Sequence, residues 1–238
     1  MSSPIVNAIR KALQDSASEE NRQASNRFYK KGEEALVHGV KNAAVRSIAK
    51  EFLKQIKSKD KAYIFNICEE LWQSGYLEEA IVACVFSESL KKKYLPEDFE
   101  TFERWVTQYV NNWAGCDTLC NHTVGTFIMM YPEYIKELKK WASSSNRWNK
   151  RAAAVTLIVP SKQGLFLKEI LEIADSLLLD KDDLVQKGYG WMLKSASHNH
   201  QTEVYEYILA KKDSMSRTAL RYAIEKMPQE MKANAMKN

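Results

Sequence analysis

The apolar residues of this chain recur with the spacing of a single helix face almost from end to end, and no segment alternates long enough to form a strand. IVNAIRKAL, VRSIAKEFLKQI, AYIFNICEELW, LEEAIVACVFSESL, FETFERWVTQYV, LCNHTVGTFIMMY, LFLKEILEIADSLL and VYEYILAKK all carry apolar residues at i, i+3 and i+4, the signature of an amphipathic helix. Gly (8) and Pro (5) are too scarce in 238 residues for the many turns of an all-β sandwich. Short polar breaks such as KSKD, QSGY, YLPED, ASSSNR, PSKQG and LDKDD divide the runs. Pro96 and Pro132 stand where proline fits the first turn of a helix. The spacing predicts an all-α chain of about a dozen helices joined by short loops.

Helix pairs recur roughly every 30 to 40 residues, the range of helical solenoids. The later pairs end in KRAAAV, QKGYGWMLK and SRTALRYAI, where small residues permit close stacking and Lys and Arg are expected to face out. One reading is a solvated charge stripe on a globular bundle. The other, favoured by the repetition, is an α-helical solenoid with Arg151, Lys187, Lys194, Arg217 and Arg221 along a basic concave face. A single domain over 1–238 is expected. Its first part, about 1–58, reads as more irregular, with a loop at GEEALVHG, and 231–238 reads as a frayed tail.

Charge and cysteine usage narrow the function classes only a little. Lys and Arg exceed Asp and Glu by 35 to 30, a net +5 with a pI near 8.8, which allows a nucleic-acid partner without demanding one. No apolar run approaches the roughly 20 residues needed to span a bilayer, and MSSPIVNAIRKAL lacks the apolar core of a secretory signal. A cytoplasmic chain with no membrane partner is expected. Cys68 and Cys84 lie in apolar runs and read as packing residues. Cys116, Cys120 and His122 lack the second ligand pair of a structural zinc site. Neither metal nor cofactor is expected. His198 and His200 fall in a polar break and read as solvent-facing.

No P-loop, dinucleotide-binding glycine motif, nucleophile elbow or zinc-protease motif occurs. What remains is a set of aromatic, acidic and basic residues spread over three consecutive helix pairs: NNWAGCD, NRWNKRAAA and VQKGYGWML. Trp113 and Asp117 are four apart and share a face if the helix is continuous. Gly115 between them could instead mark the helix start. Gly190 within a helix costs about 1 kcal/mol relative to Ala, so something approaches closely there, either another helix or a ligand. Taken singly, the tryptophans could be core residues, Asp117 a cap and Arg151 a surface charge.

Taken in order, these three stretches resemble the AlkD family of DNA alkylation-repair glycosylases, and the likeness extends to FYKKGEEALVHGVKNAAVRSIAKEF. The resemblance implies a solenoid of HEAT-like repeats and a monomer that binds double-stranded DNA carrying alkylated purines. It implies hydrolysis of the N-glycosidic bond of cationic N7-alkylguanine and N3-alkyladenine, with the base left largely stacked. It also implies that Asp117 is the catalytic carboxylate, that Trp113 and Trp191 line the deoxyribose, and that Arg151 contacts the DNA backbone. Lys150, Lys187, Lys194, Arg46, Arg217 and Arg221 complete the expected DNA-binding set. The chain departs from the family pattern at Ala114, Gly115 and Cys116, and at Cys120 and His122. Two alternatives stay open: a non-catalytic helical module that binds DNA, and a protein-binding scaffold with the tryptophans as anchors.

Overall fold

The computed structural model describes residues 3–31 and 33–237. Among them every named element is helical, and the one β feature is an isolated bridge between Leu36 and Tyr76. The chain forms two compact units, Met1–Leu119 and Cys120–Asn238.

In the first unit the helix Pro4–Asp15 starts with Ser3 accepting the Val6 amide and buries Val6, Ile9 and Leu13 on one face. Glu19–Asn26 buries nothing, as its polar composition requires. Helices Asn42–Ile56, Lys61–Trp72 and Leu77–Ser89 follow. Leu77–Ser89 is buried nearly all round, from Glu78 to Ser87, which makes it the central element. It carries two buried acids that tie down the stretch expected to be a loop. The Glu78 carboxylate accepts the successive amides of His38, Gly39 and Val40 at 3.0, 2.8 and 3.1 Å. Glu79 pairs with Arg10 and His38, and the His38 ring stacks on Tyr76 at 3.9 Å. Gly39 has φ +96°, and a Cβ there would lie 2.6 Å from the Ser18 carbonyl oxygen, so both its conformation and its space require glycine.

Asp98–Arg104 runs into a π-helical turn, Trp105–Tyr109, anchored from Lys61–Trp72. Glu69 accepts from the Arg104 guanidinium, the Trp105 indole and the Tyr109 hydroxyl. Burial alone would raise its pKa, but these hydrogen bonds outweigh burial and hold it below the ordinary value. A carboxyl held low in the folded state stabilises the fold above its unfolded pKa. That contribution is lost as pH falls through the folded value. Glu69→Gln should therefore be less stable than wild type at pH 7, with the difference shrinking by about pH 3. Urea titrations at the two pH values measure this, and an equal gap at both would contradict it.

In the second unit, Arg147–Val155, Asp183–Ala196 and Arg217–Ile224 pack in succession. They start at 147, 183 and 217, within the rhythm read from the sequence. Glycines set their approach. A Cβ on Gly190 would lie 2.7 Å from both the Ala219 carbonyl oxygen and the Tyr222 Cβ, so the close neighbour of Gly190 is another helix. Gly188 lies against Arg151 and Val155 with ordinary spacing. The C-terminal stretch expected to fray is helical over Gln229–Ala235. Ala235 is buried, and the Tyr205 hydroxyl bonds the Met231 carbonyl. One apolar contact and a side-chain clamp suffice to order it. Asn238 lies outside the described residues.

Candidate active site

The stretch NNWAGCD resolves into a capped helix, Trp113–Thr118. Asn112 takes the extended conformation and its Oδ1 accepts the Gly115 amide at 2.8 Å, so the helix begins before Gly115 and not at it. Asn112 is itself buried, and its amide donates to Asn111, which reaches back to the Gly75 carbonyl. Gly115 lies over the Trp72 ring, 3.6 Å from the position a Cβ would take. Trp113 is then the first helical residue and Asp117 the fifth, one turn apart on a shared face. Both are half-buried, whereas Trp72, Trp105 and Trp141 are at most 3 % exposed. Trp113 is therefore not one of the core tryptophans. Tyr29 packs on it with ring centroids 5.7 Å apart, and burial, reinforced by the Glu78 charge, pushes the Tyr29 phenol up to about 12.

Two of these residues escaped the sequence reading. An Asn immediately ahead of an apolar helical run is a recognised start signal, so Asn112 was detectable. Tyr29 lies in an irregular segment and has no such signal. Asn112→Ala should cost about 1 kcal/mol through loss of the cap. Asn112→Ser keeps an acceptor and should recover much of it. Thermal melts of the two variants distinguish them, and equal melting temperatures would deny the cap its role.

In the second unit, Trp191 is half-buried on Asp183–Ala196, whose start is capped by Asp182 accepting from Leu184 and Val185. Lys187 and Lys194 are four before and three after it, on the same face. The expected basic stripe is electrostatically quieter than its composition suggests. Lys150 pairs with Asp180 at 2.7 Å, Lys187 with Asp183 at 2.8 Å and Lys194 with Glu225 at 2.8 Å. Lys194 also lies over the Tyr222 ring. In the first unit, the Arg46 guanidinium donates to Asn42. Arg217 and Arg221 are exposed.

Arg151 departs from expectation. It is 5 % exposed and its guanidinium donates to the Leu184 carbonyl. The reason is local: Arg151 through Val155 is buried without a break, and Gly188 opposite leaves room for the stem. The outward-facing rule does not hold there. The four cysteines are all buried. His198 is exposed, but His200 is partly covered and its Nε2 lies 3.0 Å from the Gly164 carbonyl. Among the described residues no three His, Cys, Asp or Glu side chains group as a metal site would require, and no helix is long and apolar enough to cross a membrane.

A family profile described as "DNA alkylation repair enzyme" matches residues 9–227. Among solved structures, a predicted DNA alkylation repair enzyme from Enterococcus faecalis superposes with a TM-score of 0.79. It is 18 % identical, and the match covers 91 % of this chain and 99 % of that one. At that identity the likeness speaks for the all-α fold. No curated protein gives a significant match.

Proposed function

Because the chain belongs to the DNA alkylation repair enzyme family, we propose that it is a DNA glycosylase of cationic alkylpurines, acting on N7-alkylguanine and N3-alkyladenine in duplex DNA. The observation that carries the reading is the Asn112-capped helix, which holds a half-exposed tryptophan and a half-exposed carboxylate on one face. On this reading the helix pairs are HEAT-like repeats with a basic face toward DNA.

The chemistry suits such a sparse site. Alkylation at N7 or N3 makes the base a cation and hence a good leaving group, so no strong general acid is needed. As the C1′–N bond lengthens, the bonding pair leaves with the base and positive charge moves to the sugar. The Asp117 carboxylate stabilises that oxocarbenium-like state and orients the attacking water. The faces of Trp113 and Trp191 attract the same cation, by about 0.5–2 kcal/mol in typical settings. The proton lost by water leaves with solvent. Arg217, Arg221, Arg46 and the paired lysines 150, 187 and 194 hold phosphates, the lysines by exchanging an internal carboxylate for DNA. Arg151 serves the backbone contact from within, by fixing the first turn of the Trp191 helix.

The test is release of 7-methylguanine from methylated duplex DNA by wild type and by Asp117→Asn. Equal release by both proteins would remove Asp117 from the mechanism. Binding without release by wild type would identify a non-catalytic DNA-binding module instead.

A further inference from the structure

The basic residues expected to meet DNA are largely paired within the protein, yet a different group of lysines is not. Lys91–Lys93 forms a short 3-10 turn at the end of helix Leu77–Ser89, with all three side chains exposed. The neighbouring turn carries Lys57, Lys59 and Lys61. Lys61 joins the two turns through the Lys93 carbonyl at 3.2 Å and is neutralised by Asp98. Among the described residues, Lys57, Lys91, Lys92 and Lys93 have no ion-pair partner; Asp60, Glu97 and Glu100 are the exposed acids nearby in sequence, and the half-buried Glu88 lies one turn before Lys91 and Lys92. Tyr63, 39 % exposed beneath the Lys59 ammonium, and Leu95, 46 % exposed, are the apolar elements.

The position of this cluster follows from the hairpin that carries it. Helix Lys61–Trp72 starts at the lysines and ends with Trp72 under Gly115 of the site helix. Helix Leu77–Ser89 starts beside Gly75, held by Asn111, and ends at the lysines. The lysines and the Trp113–Asp117 helix therefore occupy opposite ends of one hairpin. Twelve helical residues span about 18 Å, close to five base-pair steps of about 3.4 Å.

We infer that the Lys57–Lys61 and Lys91–Lys93 cluster is a second phosphate-binding surface, taking the backbone of the same duplex about five base pairs from the lesion. This rests on the glycosylase reading for the position of the lesion. A line of flexible ammonium groups suits phosphates, each neutralised phosphate releasing counterions. A protein partner would be held chiefly by aromatic and aliphatic anchors, and here two such side chains, Tyr63 and Leu95, stand among six lysines, which weights the surface toward phosphates. Uncompensated ammonium groups carry more of this effect than lysines that must first leave an internal carboxylate.

The test uses the full chain and a K91Q/K92Q/K93Q variant, with duplexes carrying a tetrahydrofuran abasic analogue. The flanks are either twelve base pairs on both sides or three on both sides. On the long duplex the variant should bind more weakly, and the slope of log affinity against log salt should fall by about 0.9 for each phosphate no longer neutralised. On the short duplex the two proteins should bind alike. Equal slopes on the long duplex would overturn the inference, and so would an equal weakening on both lengths. Capture of polyglutamate by wild type alone, with equal DNA slopes, would reassign the surface to an acidic polypeptide. Release of 7-methylguanine is measured separately. If wild type binds with the expected length dependence but releases no base, the glycosylase reading fails while this surface stands.

Discussion

Asp117→Asn is expected to slow single-turnover release of 7-methylguanine by about 10²–10³-fold, the usual cost of removing one preorganised electrostatic stabiliser. The substitution preserves shape and keeps a polar tip, so the loss reads charge and little else. Asp117 is half-exposed on a helix whose start is fixed by Asn112, so the fold should survive its replacement, which a thermal melt of the variant checks. Affinity for methylated duplex should hold or rise, because one negative charge facing phosphates is gone. A variant that loses activity together with affinity or fold would place Asp117 in the scaffold. Substitution of Trp113 should be milder, since an aromatic face supplies about 0.5–2 kcal/mol to a cation.

Gly190→Ala should destabilise the protein by about 2 kcal/mol, the overpacking cost exceeding the gain in helix propensity of about 1 kcal/mol. Its Cβ would fall 2.7 Å from a carbonyl oxygen and 2.7 Å from the Tyr222 Cβ. The oxygen belongs to backbone and cannot swing aside. Relief requires Asp183–Ala196 and Arg217–Ile224 to part, which would also shift Trp191. Two residues earlier the same substitution should have the opposite sign. At Gly188 the nearest atom to a new Cβ is the flexible Arg151 stem at 3.5 Å, so Gly188→Ala should stabilise by up to about 1 kcal/mol. Thermal melts should separate the pair by several degrees, each kcal/mol being worth about 2–4 °C in a chain of this size. A shift of the same sign for both would refute the packing account.

Helix periodicity is a local property, so the runs from IVNAIRKAL to VYEYILAKK were legible. So was the presence of something tight against Gly190, although only the fold says that it is the Ala219 carbonyl. The π turn at Trp105–Tyr109 is stabilised by Glu69 from another helix and leaves no periodic trace. Lys187–Asp183 is an i,i+4 pair visible in the sequence. Lys150–Asp180 and Lys194–Glu225 are 30 and 31 residues apart and are set by helix packing. Arg151 misleads for the same reason: its composition is that of a surface residue, while its neighbours bury it. Of the candidate active-site residues, the Trp113–Asp117 spacing was readable, and the cap that makes the spacing meaningful came from Asn112.

The three amides of His38, Gly39 and Val40 converge as a backbone nest does around a phosphate, yet the ion they enclose is the Glu78 carboxylate. The protein has supplied its own anion. The nest is thereby occupied from the moment the unit folds, and it is closed to the DNA backbone. A phosphate approaching this loop finds those three amides already taken, so any grip beside them falls to side chains, whose charges respond to salt and to substitution one at a time.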